Sequence, residues 1–560
     1  MTRDLLTPVD PAVPRLADTV GFERSADGAS WLVSVDGVPV SRASDAVAAA
    51  LRAMDGVATL DDLRRRFAPD QTPEAFGALV DRFRRAGLLR GAERRTAGRL
   101  TYRPPLTVQF ATLRAPVLFA RLHRVLRPVL RRALLWPLAV LVLAGVVALV
   151  AQAPMAAEAL TSPLPLDDLL LIAVVLVCAT VAHEAAHGVT LTHGGARPRR
   201  AGFMLLYLGP AFFVDVTDAW RLPSRTARVA VALAGPAVHA VLAGAAALAA
   251  LVVTDADLRR TLLVLACACA TVVAVNLVPF VRFDGYIALM SALDEPNLRA
   301  RTMADAAEGL RGLLFGGERS ARALDRWWSV PFGILSVVVP TVIVWLAVER
   351  AIRALVGTGP VGAFLVLALQ AVVVIAVGAG VARWVARCWR LGRGRLRFLA
   401  LSGALLGASV ALAALVPVDD VRTMGYATTD DGVTLVVPAG ATGEGAVAIA
   451  GGRSVDLSSS GILADAHLVA GRTRATSLRE ATVPLTAFSP VALDDVAIDA
   501  LVVGRVDVPA ATTLPSAGRA GIHLGTRSLL EAVWATHVAV PASLLVASLL
   551  PPPPDSKEDR

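Results

Sequence analysis

The chain has 560 residues, 55% of them hydrophobic, and a mean hydropathy of +0.60. That excess excludes an ordinary soluble globular protein. The net charge of +9 invites a nucleic-acid partner, but the arginines gather in alternate loops between apolar segments, where membrane topology puts them. Nucleic-acid binding is therefore set aside.

Residues 1–95 form a separate soluble unit. The stretch WLVSVDGVPVSR (31–42) holds Asp36-Gly37 between β-favouring residues, which predicts a hairpin. ASDAVAAALRAM predicts a helix ending near Gly56, and Thr59-Leu60-Asp61-Asp62 opens a second with a capping-box pattern. Thr72-Pro73-Glu74 opens a third, with Thr as N-cap and Pro at the first helical position. Phe76, Leu79, Val80 and Phe83 line one face of it. A hairpin followed by three short helices is a winged-helix-like layout. The order of these elements over residues 20–90 resembles the PqqD-like family, small domains that capture leader peptides during maturation of ribosomally made peptides. The resemblance implies β-augmentation, a peptide strand added at the edge of the hairpin sheet. A generic winged-helix adaptor or a small regulatory domain is the plainer alternative.

Residues 96–132 read as a basic linker, with Arg121, Arg124, Arg127, Arg131 and Arg132 just before the first apolar window. Windows near the roughly 20 residues that cross a hydrocarbon core lie at 133–152, 168–191, 228–252, 260–281, 329–348, 361–385 and 398–416, with a weaker eighth at 533–550. About 130 residues precede the first, so it is not a cleaved signal peptide. Arg197, Arg199, Arg200, Arg221, Arg225 and Arg228 follow the second window, and Arg383, Arg387, Arg390, Arg393, Arg395 and Arg397 separate the sixth from the seventh. The loop between the first two carries Glu158, Asp167 and Asp168 and no basic residue. The pattern predicts a mainly α, multi-pass protein of the plasma membrane with its N-terminus in the cytoplasm. The lipid bilayer is its first partner. A membrane core is expected over 133–350 and further spans over 351–416. Residues 417–530, with short β-rich runs broken by Gly, Asp and Pro, read as an extracytoplasmic domain. Twelve acidic residues against eight basic ones between Asp419 and Arg527 agree with that side. Residues 531–560 hold the possible last span and a tail, PPPPDSKEDR, expected to be disordered. Cys178, Cys267, Cys269 and Cys388 all lie in or beside predicted spans, too few for a disulfide framework.

Within the second window stands Val181-Ala182-His183-Glu184-Ala185-Ala186-His187-Gly188. Two histidines four residues apart share a helix face and hold one Zn²⁺ between them. Glu184 is then placed to take a proton from a water whose pKa zinc lowers toward about 7. Ionisable groups in a membrane are costly and tend to be functional; the bland alternative is a polar cluster at the membrane edge. A third ligand must come from elsewhere, and the candidates are His193, His239, Asp215, Asp218 and Asp284. His193, beside Gly194-Gly195, is expected to cap the helix or face solvent. His239 in the third span is a real rival. Asp284 is preferred: it closes NLVPFVRFDGY (276–286), where a span is expected to break at Pro279 and deliver a carboxylate at the cytoplasmic end. Two histidines and a carboxylate leave one position open for water.

HEAAH, then Ala234-Gly235-Pro236 in the next span, then NLVPFVRFDGY resemble the site-2 protease family of intramembrane zinc metallopeptidases. The loop GPAFFVDVTDAWRLPSRTAR and the trailing DEPNLRAR resemble its peptide zinc metalloprotease subgroup. The resemblance covers about 130–350. It implies cleavage of a peptide bond at or within the membrane, with His183, His187 and Asp284 as metal ligands and Glu184 as general base. It also assigns Asn276 to holding substrate or polarising its carbonyl, a catalytic role set against a structural one near Pro279. Phe283 stands where the family has Leu, and no inserted peptide-binding domain is visible. The apolar stretch FMLLYLGPAFFVDV (203–216) is expected to dip into the membrane as a hairpin and to pair with an unwound substrate strand. With a leader-capturing domain in front, the expected function is removal of the leader from a ribosomally synthesised, modified peptide precursor, as in daptide-type pathways. Three alternatives stand beside it: a signalling protease cutting a transmembrane regulator, a non-proteolytic peptide-binding or export accessory protein, and a transporter. The last lacks halves with matching broken helices.

Overall fold

The computed structural model describes residues 13–25, 28, 30–91, 98–103, 107–206, 209–316, 323–324, 326–356, 360–391, 394–429, 432–439, 448–493, 496–509 and 512–549. The tail expected to be disordered, 551–560, lies outside them. The chain divides into two compact units, one formed by residues up to Ala153 and Leu171–Leu298, the other by Pro154–Leu170 and the residues from Arg299 onward. The boundary at 298 falls inside the membrane core expected over 133–350.

The first unit opens with an antiparallel sheet of β1 (Val20–Arg24), β2 (Trp31–Val35) and β3 (Val38–Ala43), in that order. Asp36 and Gly37 both take positive φ, 49° and 71°, between β2 and β3. That backbone matches the right-handed twist of the strands it joins. Three helices follow, α1 (Asp45–Arg52), α2 (Leu60–Phe67) and α3 (Pro73–Arg85). Thr59 and Asp62 close a reciprocal capping box on α2, and Thr72 caps α3 ahead of Pro73. These caps satisfy amide groups that a short helix otherwise leaves orphaned. Val33, Leu51, Met54, Leu63, Phe76 and Leu89 form the shared core.

Residues 96–132, read from sequence as a linker, instead carry β4 (Leu100–Arg103), β5 (Thr107–Thr112) and α4 (Ala115–Leu126). Next come α5 (Arg132–Ala151), α6 (Ala153–Thr161), β6 (Leu164–Pro165) and α7 (Leu166–His193). Then β7 (Ala201–Leu206) and β8 (Gly209–Val214) form the hairpin expected at 203–216, apart from residues 207 and 208, which lie outside the described set. The hairpin joins a four-stranded sheet in the order β4-β5-β7-β8. A 3-10 turn at Thr217–Arg221 leads into α8 (Arg225–Val252), α9 (Ala256–Asn276) and α10 (Asp284–Leu293). Helix α9 stops at Asn276, five residues short of the expected 281. Pro279 disfavours helical backbone at the residue before it, so the helix ends ahead of the proline.

The second unit contains α11 (Leu298–Phe315), α12 (Ser329–Val356), α13 (Pro360–Leu391) and α14 (Arg395–Leu415). The β-rich region follows as β9 (Pro417–Thr429), β10 (Gly432–Pro438), β11 (Ser454–Ser458), β12 (His467–Arg474), β13 (Arg479–Pro484), β14 (Val491–Ala492), β15 (Ala497–Asp507) and β16 (Ala517–Ser528). Seven of these strands run in the order β10-β9-β16-β11-β12-β15-β13, and β10 also pairs with β15. That pairing closes six of the strands into a ring, with β13 attached outside it through β15 alone among the described residues. The interior of the ring holds Tyr426, Leu435, Val455, Leu457 and Ile522, all fully buried. The chain ends in α15 (Leu529–Trp534), a π-helical turn at Ala535–Ala539 and α16 (Val540–Leu549). Among the described residues eight helices are long and apolar enough to cross a bilayer, from Ala133–Ala151 to Leu529–Val546, as a multi-pass membrane protein requires.

Candidate metal centre

Helix α7 puts His183 and His187 one turn apart, with ring centroids 4.9 Å from each other and both side chains buried. Asp284 reaches them as the first residue of α10. It is delivered there by a close approach of backbone to backbone: a Cβ on Gly285 would lie 2.3 Å from the Leu277 carbonyl oxygen. Only glycine fits the step between the end of α9 and the start of α10. One Asp284 carboxylate oxygen lies 3.0 Å from Nε2 of His183 and the other 3.3 Å from Nε2 of His187. Two ligand atoms held tetrahedrally at about 2.0–2.1 Å from one ion stand roughly 3.3–3.4 Å apart. The three side chains therefore have the spacing of a ligand set and could hold a metal ion. Oδ2 of Asp284 is buried, and Nε2 of His183 at 3.0 Å is its close polar neighbour, in an alignment that does not make a regular hydrogen bond.

The rear of each ring is also held. His187 donates Nδ1–H to the Val231 carbonyl at 2.7 Å, which leaves Nε2 with its lone pair toward Asp284. Nδ1 of His183 lies 3.3 Å from Nδ1 of His239, which is itself buried on α8. His239, the rival ligand of the sequence reading, thus stands behind His183 and outside the three-residue group. Gly235 presses on the front: a Cβ there would come within 2.4 Å of Nε2 of both histidines. The sequence marks Ala234-Gly235-Pro236 as a motif, but this reason for it needs the fold.

Glu184 is half-buried beside the cluster, and its Oε2 accepts the Val214 backbone N–H at 3.0 Å. Val214 ends β8, which pairs on one side only among the described residues. Asp215 gives its N–H to Arg200 on the β7 side, while Val214 turns outward. Successive residues of an extended chain alternate, so Phe212 presents its N–H and C=O along the same outer edge as Val214. A cavity of about 330 Å³ opens between this edge and the cluster, lined by Glu184, His187, Asp284, Val214 and Trp220 among others.

The other expected candidates lie apart from the group. His193 is exposed and 3.1 Å from His123. Asp215 lines the cavity but accepts from the Thr217 N–H and hydroxyl. Asp218 is buried and accepts from Arg199 and Arg221, both at 2.9 Å. Asn276 is half-buried at the end of α9 and donates Nδ2–H to the Val272 carbonyl of its own helix at 2.9 Å. Neither a family model, nor a curated protein, nor a solved structure matches this chain.

Proposed function

We propose that the protein is a zinc metalloprotease that hydrolyses a peptide bond at the membrane, removing the leader of a ribosomally synthesised, modified peptide precursor. The observation that carries this reading is the position of Glu184, which shares one cavity with His187 and Asp284 and touches the end of a strand that has no partner on its outer edge among the described residues. His183, His187 and Asp284 would hold the ion. Zinc in that site supplies a Lewis acid for a carbonyl oxygen and brings the pKa of a bound water toward about 7.

The chain's own groups do the rest. The outer edge of β8 takes the substrate as an added strand, so that an unwound segment satisfies its backbone in an apolar setting. Glu184 takes a proton from the attacking water as oxygen bonds to the carbonyl carbon. It then gives that proton to the amide nitrogen as the carbon–nitrogen bond breaks. Gly235 keeps the approach to the ligand nitrogens open. The remaining amide hydrogen of Asn276 serves the substrate carbonyl, the role carried by the resemblance to site-2 proteases. The PqqD-like reading of residues 13–91 adds capture of the leader by the β1–β3 sheet on the cytoplasmic side, and places the β-rich ring outside.

The test is a trap. The Glu184→Gln protein is purified in detergent, its metal content is measured, and co-purifying peptides are identified by mass spectrometry before wild-type protein is added. A short precursor that binds the variant and gains new termini only with wild type is the expected result. A peptide that stays whole with both forms would make this a membrane peptide-binding protein. A cut single-span regulator would make it a signalling protease.

A further inference from the structure

The metal cavity has a neighbour. A second cavity of about 120 Å³ lies against β3, and Thr217, Trp220 and Met290 line both. Its other walls include Leu32, Pro39 and Val40 of the N-terminal sheet and Pro296 of the turn after α10. The volume is somewhat below that of a 150 Å³ apolar cavity that takes benzene, the size of one branched aliphatic side chain. The one charged residue in its wall, Arg42, is engaged by both carboxylate oxygens of Asp294 at 2.9 and 2.8 Å. The guanidinium also lies 5.4 Å from the Trp220 ring. Leu32, Pro39, Val40, Trp220, Met290 and Pro296 make most of the wall apolar, Ser41, Thr217 and Asn297 add neutral polar groups, and with Arg42 paired the wall offers no free charge to an acidic or basic guest.

The walls are held in place from both sides. Arg221 grips Glu23 of β1 through two 2.9 Å bonds, and both Arg199 and Arg221 donate to the Gly37 carbonyl at the β2–β3 turn. Asp294, which takes Arg42, also accepts from Arg228 of α8 at 2.5 Å. The N-terminal sheet is in this way fixed against the elements that frame the metal cavity, and the second cavity sits at that seam.

We infer that the second cavity is a specificity subsite. It seats one uncharged, branched aliphatic side chain of the same peptide whose scissile bond lies in the metal cavity. The inference rests on the protease reading for the second half of that statement only. Because the two cavities share a wall, the seated side chain stands at a fixed number of residues from the cut. The N-terminal domain then helps choose the bond as well as the peptide. A missing methylene in an apolar pocket costs a substrate about 10-fold or more, so Val or Leu at one position outcompetes Gly by at least that factor.

The probe is a set of dye-labelled decapeptides in which one position at a time is Gly, Ala, Val, Leu, Phe or Trp, offered to the full-length protein in detergent. Cleavage is read with the wild-type catalytic glutamate and binding anisotropy with Glu184→Gln, each in three backgrounds: unaltered, Val40→Trp and Met290→Ala. Val40→Trp fills the cavity and Met290→Ala enlarges it. One position is expected to prefer Val or Leu by about 10-fold; Val40→Trp turns that preference toward Gly, and Met290→Ala extends it to Phe. Because the two changes act in opposite directions, loss of folding in one does not spoil the other. If cleavage occurs and neither variant moves the preference, the subsite is overturned and the protease reading stands. If binding preference moves but wild type cuts nothing, the subsite stands and the protease reading fails. A library that neither binds nor is cut overturns both.

Discussion

Gly235 lies on the face of α8 turned to the two histidines, with no room for a methyl group before Nε2 of either. Gly235→Ala should therefore push the imidazoles off their common centre. Changes around metal ligands typically lower affinity 10–100-fold, and a loss of that size is expected in bound metal per chain, with helical circular dichroism unchanged. Full metal content in Gly235→Ala would show that the histidines do not converge as drawn. His239 allows a sharper distinction. If His183 holds the ion as proposed, His239 behind it is a positioning residue, and His239→Ala should weaken metal retention against a chelator by a similar 10–100-fold. His183→Ala should lose the metal outright. Equal loss in the two variants would promote His239 into the ligand set. The histidine pair and Glu184 were legible in the sequence because their relation is local, four residues on one helix. In the structure Asp284, and not His239, stands in the group with His183 and His187. The pressure from Gly235 was not legible, because it depends on how α8 crosses α7.

The hairpin turn and the helix caps of the first 91 residues could be read directly, since Asp36-Gly37, Thr59 to Asp62 and Thr72-Pro73 each act within four residues. The four-stranded sheet could not, because β5 pairs with β7 across α4 to α7, and nothing in a stretch read as a basic linker announces a partner so distant. One contact between these elements carries a pH signature. The Arg221 guanidinium holds the Glu23 carboxyl below the ordinary carboxylate range, its hydrogen bond outweighing the effect of burial. A carboxyl lowered by docking stabilises the docked form fully above its free value, about 4.3, and loses that contribution as pH falls through the docked value. Glu23 is half-exposed, so solvent screening keeps the effect small. Amide protection in β1 and at the β2–β3 turn, taken relative to the intrinsic exchange rate at each pH, should fall as pH drops below the free carboxylate value of about 4.3. Glu23→Gln should show the lowered protection already at pH 7 and little further change in it on acidification. Identical pH profiles for the two proteins would remove this ion pair from the docking of the N-terminal sheet.

Strand pairing in the second unit relates its last two apolar helices. In the second unit β9 leaves the seventh apolar helix and β16 leads into the eighth, and the two strands pair from Pro417 opposite Ser528. The end of one helix and the start of the next are thereby brought together, so the last apolar segment turns back the way the seventh came. Ser528 and Glu531 close a capping box at that return. His537, in the π-helical turn, lies 3.1 Å from Glu349 and 3.1 Å from Gln370, and so links the last apolar helix to α12 and α13. Polar groups within apolar spans find partners of this kind because lipid offers none. The proposed function requires residues 13–91 and the His183–His187 end of α7 on the cytoplasmic side, the orientation that arginines in alternate loops predict; eight helices long and apolar enough to cross a bilayer among the described residues are compatible with it. Gln71 and Ser477 are both exposed, one in the N-terminal domain and one in the β-rich ring, and they separate the two sides experimentally. In a background lacking the native cysteines, Ser477→Cys should react with a membrane-impermeant maleimide on intact cells. Gln71→Cys should react only after the membrane is opened. The reverse pattern would place the domain read as leader-capturing on the side away from the ribosome, and the maturation role would fall with it even if the metal centre cuts peptides.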